Sequence, residues 1–399
     1  MSDSLLSVEA ALAHLLAGAR PLEGRETLPA DAALGRVLAE PMVSGVTVPP
    51  LDNSAMDGYA VQLADCDTER WLPVSQRIPA GSVGQPLAAG TAARIFTGAP
   101  LPAGADTVVM QEDCEAADGQ VRVTRAPKPG ANIRRAGEDI ATGQTVLAPG
   151  TRLGAAQLGV AASVGATTLT VYPRVKVAAF FTGDEIVLPG TSLKPGQIYN
   201  SNRAALLGLL HGLGCEVIDL GQIADSLEAT VAALQKAAAR ANVIITSGGV
   251  SVGEEDHVKS AVQQLGSIDM WKVAMKPGKP LVHGRIGNTD FVGLPGNPVS
   301  AFVVFCLFVR PFLLQRMGAT PRLPLTFNVP SGFERGKPGK RREFMRARLE
   351  DGRATLFPNQ SSGVLTSLAW ADGLVDIDAG VTLHVGDPVR FVPLSELLS

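Results

Sequence analysis

Apolar residues change their spacing several times along this chain, and each change predicts a different architecture. At the start, Leu5, Val8, Leu12 and Leu15 recur at helical spacing, while Asp3, Glu9 and His14 interrupt the apolar character. The pattern predicts an amphipathic helix and not a leader peptide. Residues 1–42 read as helical, with breaks at Pro21 and Pro29. From about Val43 to Ile140, short alternating runs lie between turns, among them Tyr59-Ala-Val-Gln, Ala93-Arg-Ile-Phe, Thr107-Val-Val-Met and Val121-Arg-Val-Thr. A period of two predicts a β-rich domain, inserted between two halves of a helical linker. Gly154 to Val164 returns to an alanine-rich helical pattern.

From Pro173 onward, strands and helices alternate. Val175 to Phe181, Cys215 to Leu220, Val243 to Thr246 and Asp290 to Leu294 read as strands. Asn200 or Ser201 caps a helix running to His211, Ser226 caps another to Ala241, and Pro298 opens an apolar one. Such alternation predicts a parallel sheet covered on both faces, with ligands at the carboxyl ends of its strands. After Pro321 the runs are β-like again, at Leu325 to Val329, Phe344 to Leu349, Ala354 to Phe357 and Val389 to Val392, which suits a small β-barrel or sandwich. The expected fold class is thus α/β plus β, multidomain. Its parts are a helical linker (1–42 and 142–172), an inserted β-rich domain (43–141), an α/β domain (173–322) and a C-terminal β-barrel (323–399).

Composition narrows the function. At 399 residues the chain can build several cores, and a net charge of −3 gives no global nucleic-acid or acidic-membrane signature. The longest apolar run, Val299 to Val309, falls short of the ~20 residues that span a bilayer and reads as a buried helix. Cys66, Cys114, Cys215 and Cys306 form no Cys-x-x-Cys pair, and the five histidines show no metal spacing. Reduced thiols in a cytoplasmic protein fit this better than a disulfide framework or a zinc ribbon.

The candidate chemistry gathers at strand ends. In Ile244-Ile-Thr-Ser-Gly-Gly-Val-Ser-Val-Gly-Glu-Glu-Asp256 a β-branched run stops at Ser247-Gly248-Gly249, and a polar, acidic segment follows. Glycines let backbone N–H groups approach a ligand, and a helix start favours an anion there. Asp184-Glu185, Asp225 and Asp256 each follow a different predicted strand, so their carboxylates can converge on one edge. A phosphate-friendly turn beside hard oxygen ligands points to an anion held with Mg²⁺. Lys272, Lys276 and Lys279 crowd a Pro-Gly turn, and Gly293-Leu-Pro-Gly-Asn-Pro-Val-Ser300 forms a second strand–turn–helix junction, bringing Pro295, Pro298 and Ser300 to the same edge. Neither a Walker loop nor a dinucleotide fingerprint is present. Seven basic residues fall between Arg335 and Arg348, in a loop suited to an anion; the nearby acidic residues argue against broad RNA binding. The inserted domain carries polar residues at turn after turn, in Leu51-Asp-Asn-Ser-Ala-Met-Asp-Gly-Tyr59, Thr97-Gly-Ala-Pro100 and Asn132-Ile-Arg-Arg-Ala-Gly-Glu-Asp139.

Taken in order, these segments resemble the molybdopterin molybdenumtransferase family, the MoeA type related to the gephyrin E domain. Asp52-Asn-Ser-Ala-Met-Asp-Gly-Tyr-Ala-Val61, Arg94-Ile-Phe-Thr-Gly-Ala-Pro100, Arg134-Arg-Ala-Gly-Glu-Asp-Ile140, Thr182-Gly-Asp-Glu185, Thr246-Ser-Gly-Gly-Val-Ser-Val-Gly253, Lys276-Pro-Gly-Lys-Pro280 and Gly293 to Ser300 carry the resemblance. It implies a transferase that inserts molybdenum from molybdate into adenylylated molybdopterin and releases AMP, with Mg²⁺. It also implies an elongated homodimer of four-domain subunits, in which the inserted domain of one subunit completes the other's site, and dealings with other proteins of molybdenum cofactor biosynthesis. By motif, the resemblance implies functional roles for Asp57, Thr97, Arg134, Asp139, Glu185, Asp225, Asp256, Lys272 and Lys276, and places Ser300, Arg341 and Ser362 at molybdate. The basic loop, Gly339-Lys-Arg-Arg-Glu-Phe, is one residue longer than the family pattern, so Arg341 and Arg342 are both candidates for the oxyanion. Two other readings stay open: the related adenylyltransferase that makes the activated pterin, and a non-catalytic pterin-binding scaffold.

Overall fold

The structure is a computed structural model describing residues 5–249 and 257–398. Its centre is a six-stranded sheet in the order Glu216–Ile223, Lys176–Thr182, Val243–Ser247, Thr289–Leu294, Pro280–Ile286 and Ser267–Lys272. Side chains of the inner strands alternate between two cores. Val177, Ala179, Phe181, Val243, Ile245, Val292 and Leu294 pack with Leu206, Leu210 and the apolar helix on one face. Ala178, Phe180, Ile244 and Phe291 pack with Leu234, Ala237, Val258 and Val262 on the other. A strand buried on both faces gains nothing from polar alternation, which is why these stretches read as continuous apolar runs.

The first four strands of this sheet are parallel, but the last two pairings are antiparallel, with Pro280–Ile286 running opposite to the rest. The expectation of a parallel sheet is corrected to a mixed one. The strands Ser267–Lys272 and Pro280–Ile286 flank the turn Lys276-Pro-Gly-Lys279, whose lysines, proline and glycine interrupt the apolar pattern. Gly287 and Asn288 then join Ile286 to Thr289 in a two-residue hairpin, with Gly287 at φ +58°.

The helical reading of residues 1–42 and 142–172 is also corrected. Among the described residues there, only Val8–Ala17 and Ala155–Ser163 are α-helices. Between them Glu26–Pro29 pairs antiparallel with Thr168–Val171, and Met42–Val43 pairs with Thr145–Leu147. Pro21 and Pro29 cannot sit inside a helix, and the threonine- and valine-rich stretch Thr168–Val171 favours an extended chain. The first helix is capped by Ser7, whose Oγ accepts from Ala10 N at 3.1 Å, and it buries Ala11 and Leu15 in the central core.

The helix Pro298–Arg316 has 19 residues with a mean hydropathy of 1.8, long and apolar enough to cross a membrane, yet 67% of its most apolar window is buried inside the protein. It is the core helix against which the first helix and the central sheet pack.

The segment between Gly58 and Val123 folds into a separate six-stranded sheet around Ala60, Ile95 and Val108. The C-terminal strands run Phe327–Pro330, Pro388–Pro393, Gly373–Ile377 and Arg342–Glu350 in sheet order, with Arg353–Leu356 paired to the last. A bridge between Ser331 and Ala354 joins the two ends of this series. The strand Met275–Lys276 leaves the α/β region and pairs in parallel with Arg342 and Glu343. This pairing brings the lysine-rich turn and the basic loop together.

Candidate active site

The sheet register sets Thr182 beside Ile223, Phe181 beside Ser247, and Ser247 beside Leu294. Four chain segments therefore leave one edge side by side. A cavity of about 940 Å³ opens there, closed on its far side by the Lys276–Pro280 turn and the basic loop.

Glycine shapes the floor. Gly248 (φ +99°) and Gly249 (φ +62°) have left-handed backbones; a Cβ on Gly248 would sit 2.7 Å from Thr182 O, and one on Gly249 2.6 Å from Val258 Cγ2. No other residue type fits both the conformation and the space. The side chain of Asn202 clamps this turn to its neighbour: its Nδ2 donates to Ser247 Oγ and to Gly296 O, each at 2.7 Å, and Ser247 Oγ donates to Pro295 O at 3.0 Å.

On one wall stand Glu185 and Asp225, both exposed to the cavity. Thr182 Oγ1 donates to Asp225 Oδ1 at 2.9 Å, and Glu185 lies over Gly183, where a Cβ would approach Glu185 Oε2 to 2.6 Å. Asp256, with Glu254 and Glu255, lies outside the described residues. Among the described residues no three His, Cys, Asp or Glu side chains cluster as a metal site.

On the opposite wall stand Lys276, Lys279 and Arg341, with Ser300 and Ser362 between. Lys276 Nζ lies 4.0 Å from Glu343, whose carboxylate is already held by Arg335 at 2.9 Å. Arg341 lines the cavity, anchored by a 3.0 Å bond from Nη1 to Met275 O. Arg342 turns away: its Nε and Nη2 each lie 2.7 Å from Asp376, and Nη1 reaches Glu9. Geometry thus separates the two arginines that sequence left equivalent.

Pro295 lines the same cavity, while Ser247 and Pro298 line a smaller one beside it. Lys272 does neither; it ends an edge strand, with its carbonyl accepting from Leu6 N at 2.9 Å. Asp57, Thr97, Arg134 and Asp139 do not line the cavity of their own chain. All four are exposed, Asp57, Thr97 and Asp139 on turns and Arg134 in the short strand Ile133–Arg134, which pairs with Asn53–Ser54. Thr97 N and Oγ1 each donate to Asp57 Oδ1 at 2.8 Å, and these two bonds, the backbone one foremost, hold the carboxyl below its ordinary range.

Sequence reasoning missed Asn202, Gln360 and Arg346. Gln360 lines the cavity and locks its loop to Arg346 through paired 2.9 Å bonds with that residue's backbone. The Arg346 guanidinium, 1% exposed, donates to Ser367 Oγ at 2.9 Å and Ser361 O at 3.1 Å, and burial pushes its pKa down to about 10. Arg346 stands two residues after the buried Phe344, on the inward phase of its strand, and that position was the available signal.

An α/β domain whose carboxyl-edge cleft is lined by two lysines, an arginine and two carboxylates, roofed by a small β domain and carrying a separate β sheet, defines a multidomain protein with a site suited to oxyanions. Three family profiles match in order: the MoeA N-terminal region (domain I and II) over 6–165, a probable molybdopterin binding domain over 178–315, and the MoeA C-terminal region (domain IV) over 328–394. The chain is 39% identical to molybdopterin molybdenumtransferase 2 of Mycobacterium tuberculosis, covering 94% of this chain and 97% of that one. It is 43% identical to molybdopterin molybdenumtransferase of Haemophilus influenzae over 73% of each. The crystal structure of a molybdopterin biosynthesis MoeA protein from Pyrococcus horikosii superposes with a TM-score of 0.76 at 34% identity, covering 98% of this chain and 99% of that one. The chain belongs to the MoeA family of molybdopterin molybdenumtransferases.

Proposed function

We propose that this chain transfers molybdenum from molybdate to adenylylated molybdopterin and releases AMP; its relatives carry the name molybdopterin molybdenumtransferase. The observation that carries this reading is the opposition, across one cavity, of two strand-end carboxylates and three cations. Molybdate is a tetrahedral dianion, and Lys276, Lys279, Arg341 and the Ser300 hydroxyl are the donors it needs. Because these donors are fixed before substrate arrives, charge that develops as AMP departs meets dipoles that need no reorganisation.

Carboxylates repel phosphates, so Glu185 and Asp225 call for a cation between. Their all-oxygen donor set, with the Thr182 hydroxyl fixing one Asp225 oxygen, suits a hard ion. Glu185, Asp225 and Asp256 would hold Mg²⁺, which when bound neutralises charge on the phosphate oxygens.

The exposed Asp57–Thr97 pair, Arg134 and Asp139 belong in this reading to a homodimer, where they complete the partner's cavity. The domain divisions 1–42 with 142–172, 43–141, 173–322 and 323–399 go with it. Four free thiols, two of them buried, suit a cytoplasmic setting. The test is AMP release from adenylylated molybdopterin on adding molybdate, with Mg²⁺ present or chelated. No molybdate-dependent release by the purified protein defeats the proposal.

A further inference from the structure

Among the described residues, Arg346 is a buried cation with no counter-ion. Its side chain is 1% exposed, and its three hydrogen-bond acceptors are neutral oxygens, on Ser367, Ser361 and Asn359. Burial alone acts on its pKa, downward; no neighbouring carboxylate raises it. Arg342, on the same strand, is by contrast met by Asp376. A charge buried unpaired is costly, so its retention calls for an anion close by. The loop that Arg346 grips forms part of a cavity built for one, since Gln360, Ser361 and Ser362 line it beside Lys276, Lys279 and Arg341.

The grip has a direction. Arg346 Nη2 donates to Ser361 O at 3.1 Å, and Val364 N donates to the same oxygen at 3.3 Å. The Ser361–Ser362 peptide is trans. In a trans peptide the C=O and the N–H point in opposite directions. Anchoring Ser361 O therefore turns the Ser362 N–H away from Arg346. That N–H meets no acceptor among the described residues, while the Ser362 carbonyl is already committed, accepting from Val299 N at 3.0 Å.

We propose that Arg346 is a positioning residue for the oxyanion of the charged cavity. By holding Ser361 O it aims the Ser362 N–H at the anion, and its own charge is offset only when that anion is bound. The inference rests on the proposed function, in which the anion is molybdate. It adds a backbone donor to the lysines, Arg341 and the serine hydroxyls, and assigns the aim of that donor to a side chain that does not itself line the cavity.

Ser362 is the one serine in the chain that follows another serine. Isotopic labelling of the serine carbonyl carbon and amide nitrogen therefore isolates its N–H as a single NMR signal. Molybdate alone is titrated into the full-length wild type, Arg346→Lys and Arg346→Met, followed by this signal and by calorimetry. In the wild type the Ser362 amide proton should move downfield and saturate with the calorimetric affinity. Arg346→Met, close in length but without charge or donors, should weaken molybdate binding roughly tenfold, the effect of one charge-assisted hydrogen bond, and lose the downfield move. Arg346→Lys keeps the charge and should recover part of both. A merely structural role predicts lower melting temperatures for both variants with wild-type molybdate affinity in the folded protein, and that outcome overturns the proposal. So does a Ser362 signal that stays in place when the wild type is saturated, or a wild type that binds no molybdate. If Arg346→Met does not fold, Arg346→Lys decides: weakened binding with a smaller downfield move supports the proposal, and wild-type affinity overturns it. Where AMP release depends on molybdate but the Ser362 signal does not move, only the role of Arg346 falls; absence of that release defeats the broader function instead.

Discussion

Arg341 and Arg342 are adjacent in sequence but do different work, and replacing each by alanine separates binding from stability. The Arg341 guanidinium lines the cavity, and its one hydrogen bond among the described residues is to Met275 O. Removing it leaves a single backbone carbonyl to be met by water. A lost charge-assisted contact to molybdate costs ~1.5–3 kcal/mol, so the half-saturating molybdate concentration should rise roughly ten- to a hundredfold. Arg342 instead forms a two-pronged contact with Asp376, itself 5% exposed. Breaking such a pair costs about 3–5 kcal/mol when a charge is left buried alone. Here Arg390 Nε stays 3.1 Å from Asp376. The expected cost is therefore lower, ~1–3 kcal/mol, or on the order of 2–10 °C in melting temperature.

The assay is molybdate-dependent AMP release at fixed pterin substrate, beside thermal melts of both variants. Arg341→Ala should shift the titration with its melt unmoved, and Arg342→Ala should do the reverse. The reasoning fails if Arg342→Ala raises the molybdate requirement while Arg341→Ala does not. It fails equally if both variants lose the same stability.

Two further outcomes follow from the geometry. Mixing Asp57→Ala with Asp225→Ala protein, each inactive alone, should restore part of the activity after subunit exchange, because one composite site keeps both native residues; demonstrated exchange without recovery would confine each site to one chain. Since Thr97 holds the Asp57 carboxyl below its ordinary range, their contact stabilises the fold above the unfolded-state pKa and fades as pH falls through the lower folded value. Thr97→Val removes the hydroxyl bond but keeps the backbone one, so a carboxyl NMR titration should show the Asp57 midpoint move part of the way up; an unmoved midpoint would mean the hydroxyl is irrelevant.

What the sequence made legible was mostly local. Ser226 capping its helix and Pro298 opening another depend on a few neighbouring residues, and both stand as expected. The gathering of Glu185, Asp225 and Gly248-Gly249 needed only the rule that parallel strands share a carboxyl edge. The antiparallel pair Ser267–Lys272 and Pro280–Ile286 was hidden because its stabilisation comes from an already formed neighbour, Thr289–Leu294, and not from its own composition. The same holds for Glu26–Pro29, whose partner lies about 140 residues away along the chain. Register was hidden too. Only the pairing of Met275–Lys276 with Arg342–Glu343 shows that Arg341 precedes the strand and Arg342 lies within it.

The two walls of the charged cavity belong to different regions, yet they are fixed to one another by backbone and not by side chains alone. The Met275–Lys276 strand pairs with the C-terminal sheet, and Val299 N donates to Ser362 O at 3.0 Å. Beneath Ser361, the buried Arg346 ties the loop back to its own strand. Lys276, Ser300, Arg341 and Ser362 are thus held at set separations, which is what electrostatic preorganisation requires. Among the described residues, the inserted sheet has no such tie. Its exposed Asp57, Thr97, Arg134 and Asp139 meet none of the cavity walls in their own chain, although the Asp57–Thr97 pair is as well ordered by hydrogen bonds as any group within the cavity. In the homodimer proposed above, the partner's cavity would bring the ligand to this carboxylate, and mixing two inactive variants tests that arrangement more directly than either variant alone.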